Sequence, residues 1–370
     1  MRQGCMQDNE AESVADLDQA SPTRRTAETA AADRKDLAVS VSGDRETAAD
    51  RRRRRLSIIG TVFSAALFLG SFVVLWRILG KIDLDELSTA FRSASLRQIT
   101  IAIILTAVSY ALLTGYDYVA LKQLGERIAY RITAFASFTS YAISFTLGFP
   151  LVTGGTVRYW VYSPHGIKAA KIASLTVIAG ITFWLGMSVV LSWSLVRHAA
   201  EVSVLAKTGL SLTQLTGVAG FAALAAYFIW VIWKHPVVNV RGWRLELPRA
   251  RLSFIQMLIG AGDVCAAAGV LFVLLPGGHG LSYETFLAVY VVACMLGIAS
   301  HAPGGIGVFE ATILIALDRL PTGGVLGALL LFRLLYYLVP FVIALAMLFV
   351  HETRRRVNRA NARAAGPDSK

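Results

Sequence analysis

From residue 56 onward the chain alternates between apolar runs of roughly twenty residues and short polar links. A bilayer core needs about that many apolar residues per helix, so each run is a transmembrane candidate. The runs are Leu56–Leu79, Ile99–Leu121, Ala169–Val196, Leu212–Trp233, Phe254–Pro276, Tyr283–Ser300 and Val325–Val350. The first is too long for the apolar core of a signal peptide and has no small-residue cleavage motif beside it. It therefore predicts a retained signal-anchor. Leu84–Ala94 carries mixed charge around Leu84, Leu87 and Phe91, which predicts a short amphipathic helix at the interface.

Two segments depart from this pattern. Ile132–Phe149 is long enough to span but holds Thr133, Ser137, Thr139, Ser140, Tyr141, Ser144 and Thr146, and runs into Pro150 and Gly154-Gly155. His301–Leu320 opens His-Ala-Pro-Gly-Gly-Ile-Gly-Val-Phe-Glu, and its apolar part is too short to cross. Lys and Arg gather on the cytoplasmic side of membrane proteins. Arg51–Arg55, Arg354–Arg356 and the five basic residues of Lys234–Arg251 are then all cytoplasmic. That placement requires Ile132–Phe149 to enter and return on one side, with Arg158, Lys168 and Lys171 inside. With His301–Leu320 as a broken crossing, the expectation is about eight crossings. The fold class is an all-α polytopic integral membrane protein with re-entrant or broken helices and, as one reading, an inverted repeat.

Composition agrees with this class. The chain is 55% hydrophobic and 16% charged, with mean hydropathy +0.57, whereas soluble domains carry about 25% charged residues. Residues 1–55 hold eleven basic and eleven acidic side chains and no aromatic. Such a segment lacks the apolar surface to offset ordering entropy and predicts a disordered cytoplasmic tail. Residues 56–350 form the transmembrane domain and 351–370 a basic cytoplasmic tail. Cys5, Cys265 and Cys294 show no CxxC spacing, so neither a disulfide framework nor a zinc site is expected. The histidines form no ligand cluster; His165, His279 and His301 are expected to bond within loops.

Charge inside hydrocarbon costs roughly 2.5–3.5 kcal/mol per group and marks candidate sites. Asp117 lies late in the second run, Asp263 inside Phe254–Pro276, and Arg333 well inside the last. Arg333, Tyr336, Tyr337 and Pro340 fall on one face of a regular helix. Arg158 follows Pro150, Gly154 and Gly155, much as Glu310 follows Pro303, Gly304 and Gly305. Interrupted helices in corresponding places point to a transport site, where half-helix ends hold ions or headgroups. Ordinary interfacial turns explain the same motifs. Arg333 either pairs with Asp117, Asp263 or Glu310 to hold helices together, or grips phosphate with its planar fork while carboxylates meet an ammonium or a proton.

At these residues the chain resembles the membrane-embedded flippase half of lysylphosphatidylglycerol synthetases, also called multiple peptide resistance factors, and their stand-alone relatives. The matching stretches are Tyr116-Asp117 with Leu121 to Gly125, Gly154 to Tyr162 with Gly166, and Asp263 ahead of Leu274-Leu275-Pro276. They continue with Pro303-Gly-Gly-Ile-Gly-Val-Phe-Glu310 and Leu329-Leu-Leu-Phe-Arg333-Leu-Leu-Tyr-Tyr-Leu-Val-Pro340. The resemblance runs from about residue 56 to 352 and implies a bacterial inner-membrane protein that moves aminoacylated anionic phospholipid between leaflets. The synthetases' aminoacyl-transfer domain has no counterpart in this sequence, so enzymatic activity is not expected. Arg158, Arg333, Asp117, Asp263, Glu310, Tyr336 and Tyr337 are the candidate substrate-binding residues. Two other classes stay open: a non-transporting partner of a lipid-modifying enzyme or glycosyltransferase, and a secondary transporter of a small anion. No Walker motif is present; no cofactor, metal or nucleic acid is expected. The expected partners are membrane phospholipid, a separate lipid-modifying enzyme and a second copy of the chain.

Overall fold

The computed structural model describes residues 94–364 except 149, 207, 235–236, 241–242, 247–249, 278–279 and 301–302. The signal-anchor Leu56–Leu79, the polar tail and nearly all of Leu84–Ala94 lie outside the described residues, as do His279 and His301. Eleven helices follow in order among the described residues. They are α1 (Leu96–Gln123), α2 (Tyr130–Leu147), α3 (Pro150–Tyr162), α4 (Ala169–Arg197), α5 (Ala199–Ala206) and α6 (Leu210–Lys234), then α7 (Ala250–Leu274), α8 (Tyr283–Ala299), α9 (Val308–Ala316), α10 (Thr322–Phe332) and α11 (Val339–Ala364). A π-helical turn, Arg333–Leu338, joins the last two. The chain is an all-helical, multi-pass membrane protein. Five helical stretches are long and apolar enough to cross a bilayer: Leu96–Gln123, Ala169–Arg197, Leu210–Trp233, Ala250–Leu274 and Thr322–Arg355. Tyr283–Ala299 is apolar but shorter. In the Lys234–Arg251 link, β1 (Val237–Val240) and β2 (Trp243–Glu246) form an antiparallel pair with Val237 opposite Glu246. Branched and aromatic residues favour such a ladder over a plain loop.

Helix starts are written in the sequence. Ser95 accepts from the Gln98 amide while the Gln98 side chain accepts from the Ser95 amide, a reciprocal cap on α1. Gln98 Nε2 also donates to the Val273 carbonyl at 2.8 Å, so the start of α1 lies against the end of α7. The two run antiparallel, with Gln123 and Gln256 in contact at the other end. Ser282 caps α8. Its hydroxyl and that of Thr285 both donate to Glu201 on α5, which holds the Glu201 carboxyl below its usual value.

Small residues decide how closely the spans approach. A Cβ added at Gly186 of α4 would sit 2.2 Å from the Gly260 carbonyl carbon of α7, so these backbones touch. In a bilayer such contact replaces the hydrophobic drive that water supplies to soluble bundles. Gly220 of α6 likewise lies against Ser192 of α4. The outer face of α6 leaves Leu212, Leu215, Val218, Ile229 and Ile232 exposed, as suits contact with lipid.

The two anomalous segments become short elements. After α2 the chain turns at Gly148, whose φ of 81° suits a residue without Cβ, and α3 starts at Pro150, where a missing N–H costs nothing. The α2–α3 hairpin is closed by Ser140, which donates to the Gly154 carbonyl at 2.8 Å. In His301–Leu320, a single tight turn at Pro303–Gly305 precedes α9. Nine residues rise about 14 Å, less than half a bilayer core, so α9 cannot cross alone.

Candidate functional site

The charged residues that the sequence singles out separate into three groups, rather than lining one open cavity. The physical reason is local satisfaction: each group has hydrogen-bond partners within its own neighbourhood. Asp117, Arg158 and Asp263 are 0%, 2% and 3% exposed.

In the first group, α1 brings Asp117 against Arg158 of α3. Arg158 Nε donates to Asp117 Oδ2 at 2.9 Å and Nη2 to Oδ1 at 2.8 Å, the parallel fork that a guanidinium makes with a carboxylate. Tyr162 donates to Oδ2 at 3.2 Å, and the Tyr141 ring lies 4.7 Å from the guanidinium carbon. Gly154 makes room for this. A Cβ there would stand 2.7 Å from Ser144 Oγ and 3.2 Å from Arg158 Nη1.

The second group surrounds Arg333, where the Pro303–Gly305 turn meets the end of α2. Gly304, Gly305 and Gly307 have φ of 61°, 65° and 90°, a run of left-handed backbone that side chains resist. It lets the turn press against the end of α2: a Cβ on Gly304 would lie 3.2 Å from the Phe145 carbonyl oxygen and 3.4 Å from that of Thr146. Arg333 Nη1 donates to the Gly304 carbonyl at 2.7 Å and Nε to Glu310 Oε1 at 2.6 Å. The other Glu310 oxygen accepts from the Gly307 amide at the start of α9. Nη2 lies 2.5 Å from Oε1 but out of line for a hydrogen bond, and no described acceptor takes its protons. Of Arg333's three possible carboxylate partners, Glu310 is the one it meets. The two side chains are about one-fifth exposed, unlike the sealed first group.

The third group is centred on Asp263 of α7. Ser109 Oγ is 2.5 Å from Oδ1, Tyr116 donates to Oδ2 at 2.9 Å, and Ser109 is 2.9 Å from the Tyr336 hydroxyl. No cation forms an ion pair with Asp263 among the described residues.

The expectation of one helical face for Arg333, Tyr336, Tyr337 and Pro340 is corrected by the π turn. Pro340 has no N–H for the Tyr336 carbonyl, and Tyr110 supplies the missing hydrogen bond from α1 at 3.2 Å. The Val339 amide reaches back to Leu334 instead. The two tyrosine rings stay in edge contact at 5.4 Å, but their partners differ: the Tyr337 ring lies 4.8 Å from the Arg333 guanidinium carbon, while the Tyr336 hydroxyl meets Ser109. Ser109 and Tyr141 escaped the sequence reading as site residues. Ser109 carried a usable signal, since it sits two turns before Tyr116 on the same face of an apolar run. His165 bonds within its own turn, to the Val161 carbonyl, in keeping with the loop role expected for it.

A polytopic helical fold with two glycine-rich breaks, each beside a carboxylate-paired arginine, defines a class that comparison with known proteins makes specific. The chain belongs to the family described as the lysylphosphatidylglycerol synthase transmembrane region, whose model matches residues 57–344. It is similar to the inner membrane protein YbhN of Escherichia coli, 28% identical over 80% of this chain and 94% of that protein. It is also similar to slr0712 of Synechocystis, a protein described as uncharacterized, at 32% identity over 65% of this chain and 74% of that one. Similarity to the phosphatidylglycerol lysyltransferase of Staphylococcus aureus is 25% over 80% of this chain, but covers 34% of that enzyme.

Proposed function

We propose that this chain moves anionic phospholipid, aminoacylated phosphatidylglycerol among them, between leaflets of a bacterial inner membrane. The observation that carries the reading is Arg333. Its side chain is about one-fifth exposed beside the Pro303–Gly305 turn, and Nη2, itself buried, lacks an in-line acceptor among the described residues. A lipid phosphate arriving there would take the two-pronged contact that Glu310 fills only on one oxygen. The start of α9 adds amide N–H groups suited to an anion. Family membership supports the lipid class, as does the lysyltransferase relative, whose name joins lysine to phosphatidylglycerol. A separate lipid-modifying enzyme would supply an aminoacylated substrate, and catalysis is not assigned to this chain. Both termini and the β1–β2 link are placed in the cytoplasm, with α2–α3 re-entrant.

One observation favours a second reading. The Asp117–Arg158 pair is sealed and internally satisfied, as a purely structural tie would be, and a scaffold for a lipid-modifying enzyme needs no more.

The test is leaflet-resolved movement of labelled phosphatidylglycerol and lysylphosphatidylglycerol in proteoliposomes. Wild type is expected to exceed empty vesicles. Arg333→Lys keeps the charge but loses the fork, so it is expected to slow movement about tenfold with melting in detergent little changed. Movement no faster than in empty vesicles would remove the transport reading. Movement equal to wild type in a folded Arg333→Gln would take Arg333 out of the lipid path.

A further inference from the structure

We propose that Asp263 is a proton-binding site, neutral in this structure, whose proton leaves through Ser109 and Tyr336 and couples lipid movement to a proton gradient. The coupling rests on the transport reading above; the proton site does not. Asp263 is 3% exposed in the middle of α7, and its neighbours are hydroxyls. The helices packed on it bring no compensating cation. From α1 come Tyr116 and the neighbouring Asp117, whose charge is already matched by Arg158. The π turn contributes Tyr336. On α8 are Tyr283, which donates to the Cys265 carbonyl, and the thiol Cys294. Within α4 the charged residues are Lys171 and Arg197 at its ends, α6 ends in Lys234, and α10 has none. A carboxylate so placed would have hydroxyl donors to offset part of the cost of buried charge but no cation to neutralise it.

The hydroxyl chain accommodates either state of the acid. With a proton on Asp263, Oδ1 donates to Ser109 Oγ, Ser109 donates to Tyr336, and Tyr116 still donates to Oδ2. Without it, the direction reverses: Tyr336 donates to Ser109, and Ser109 to Oδ1. The reversal is itself a transfer. The Asp263 proton passes to Ser109, the Ser109 proton passes to Tyr336, and the Tyr336 proton passes to a water molecule admitted with the lipid. Aspartate, hydronium and two intact hydroxyls remain, so the step balances. The next residue in the chain, Tyr337, carries the Arg333 guanidinium over its ring, which ties the outlet of the relay to the proposed headgroup site.

Infrared spectroscopy of the purified full chain at neutral pH tests the proton site without transport. The expected result is a carbonyl band of a protonated carboxyl group that disappears in Asp263→Asn. Should that variant fail to fold, Ser109→Ala is expected to shift the band by removing its closest partner. Absence of the band, or a band untouched by both changes, overturns the proposal. Coupling is read in proteoliposomes carrying labelled phosphatidylglycerol, with and without a pH gradient. One proton per lipid is expected to shift the wild-type leaflet ratio about tenfold per pH unit, and Asp263→Asn is expected to show the same ratio in both conditions. A wild-type ratio insensitive to the gradient overturns the coupling. If wild type moves no lipid, the transport reading falls, and the infrared band alone decides the proton site.

Discussion

Asp117 and Arg158 hold one another through two parallel hydrogen bonds and are both buried, which makes each residue's worth depend on the other. Arg158→Ala leaves a buried carboxylate unpaired and is expected to cost roughly 3–5 kcal/mol, seen as a large drop in melting temperature in detergent. Replacing both, as Asp117→Leu with Arg158→Met, is expected to recover most of that loss, because two apolar side chains have no desolvation to repay. A double variant as unstable as the single one would show that the charge itself orders this region. That these residues are candidates was legible in the sequence, since charge in an apolar run is expensive wherever it falls. Their pairing was not. Spacing along the chain places Asp117 and Arg158 forty-one residues apart; the α2–α3 hairpin turns Arg158 to Asp117, and the Pro303–Gly307 turn brings Glu310 to Arg333.

At the scale of elements, apolar run length predicted the spans to within a few residues: Ile99–Leu121 became Leu96–Gln123 and Ala169–Val196 became Ala169–Arg197. What run length cannot express is a change of winding. Val325–Val350 reads as one regular helix, yet Pro340 and the phenol of Tyr110 widen it at Arg333–Leu338. Such π turns recur at functional sites because they re-aim side chains. Pro340→Ala restores an amide that competes with Tyr110 for the Tyr336 carbonyl. It is expected to slow lipid movement severalfold by turning Tyr336 and Arg333, with melting equal to or above wild type. Unchanged movement would make the π turn incidental. Glycine contacts were equally hidden, since a glycine in an apolar helix gives no sign of what it touches. Gly186→Ala drives a methyl group into the Gly260 backbone and is expected to cost about 1–3 kcal/mol in thermal unfolding.

For the whole molecule, basic residues and family match agree on a membrane protein, while sidedness rests on where the lysines and arginines fall. A cysteine at Trp243, in a chain with Cys5, Cys265 and Cys294 replaced by alanine, is expected to react with a membrane-impermeant thiol reagent only after cells are opened. Labelling in intact spheroplasts would reverse the placement of the β1–β2 link.

The contact of Gly186 with Gly260 also bears on how such a molecule is able to move. Two backbones in direct touch leave no side chains to slide or repack, so α4 and α7 form a stiff joint. Around Gly154 and Gly304 the contacts are hydroxyls, carbonyls and guanidinium groups, joined by hydrogen bonds that can be re-formed with new partners. In mechanical terms the bundle has a welded side and a latched side.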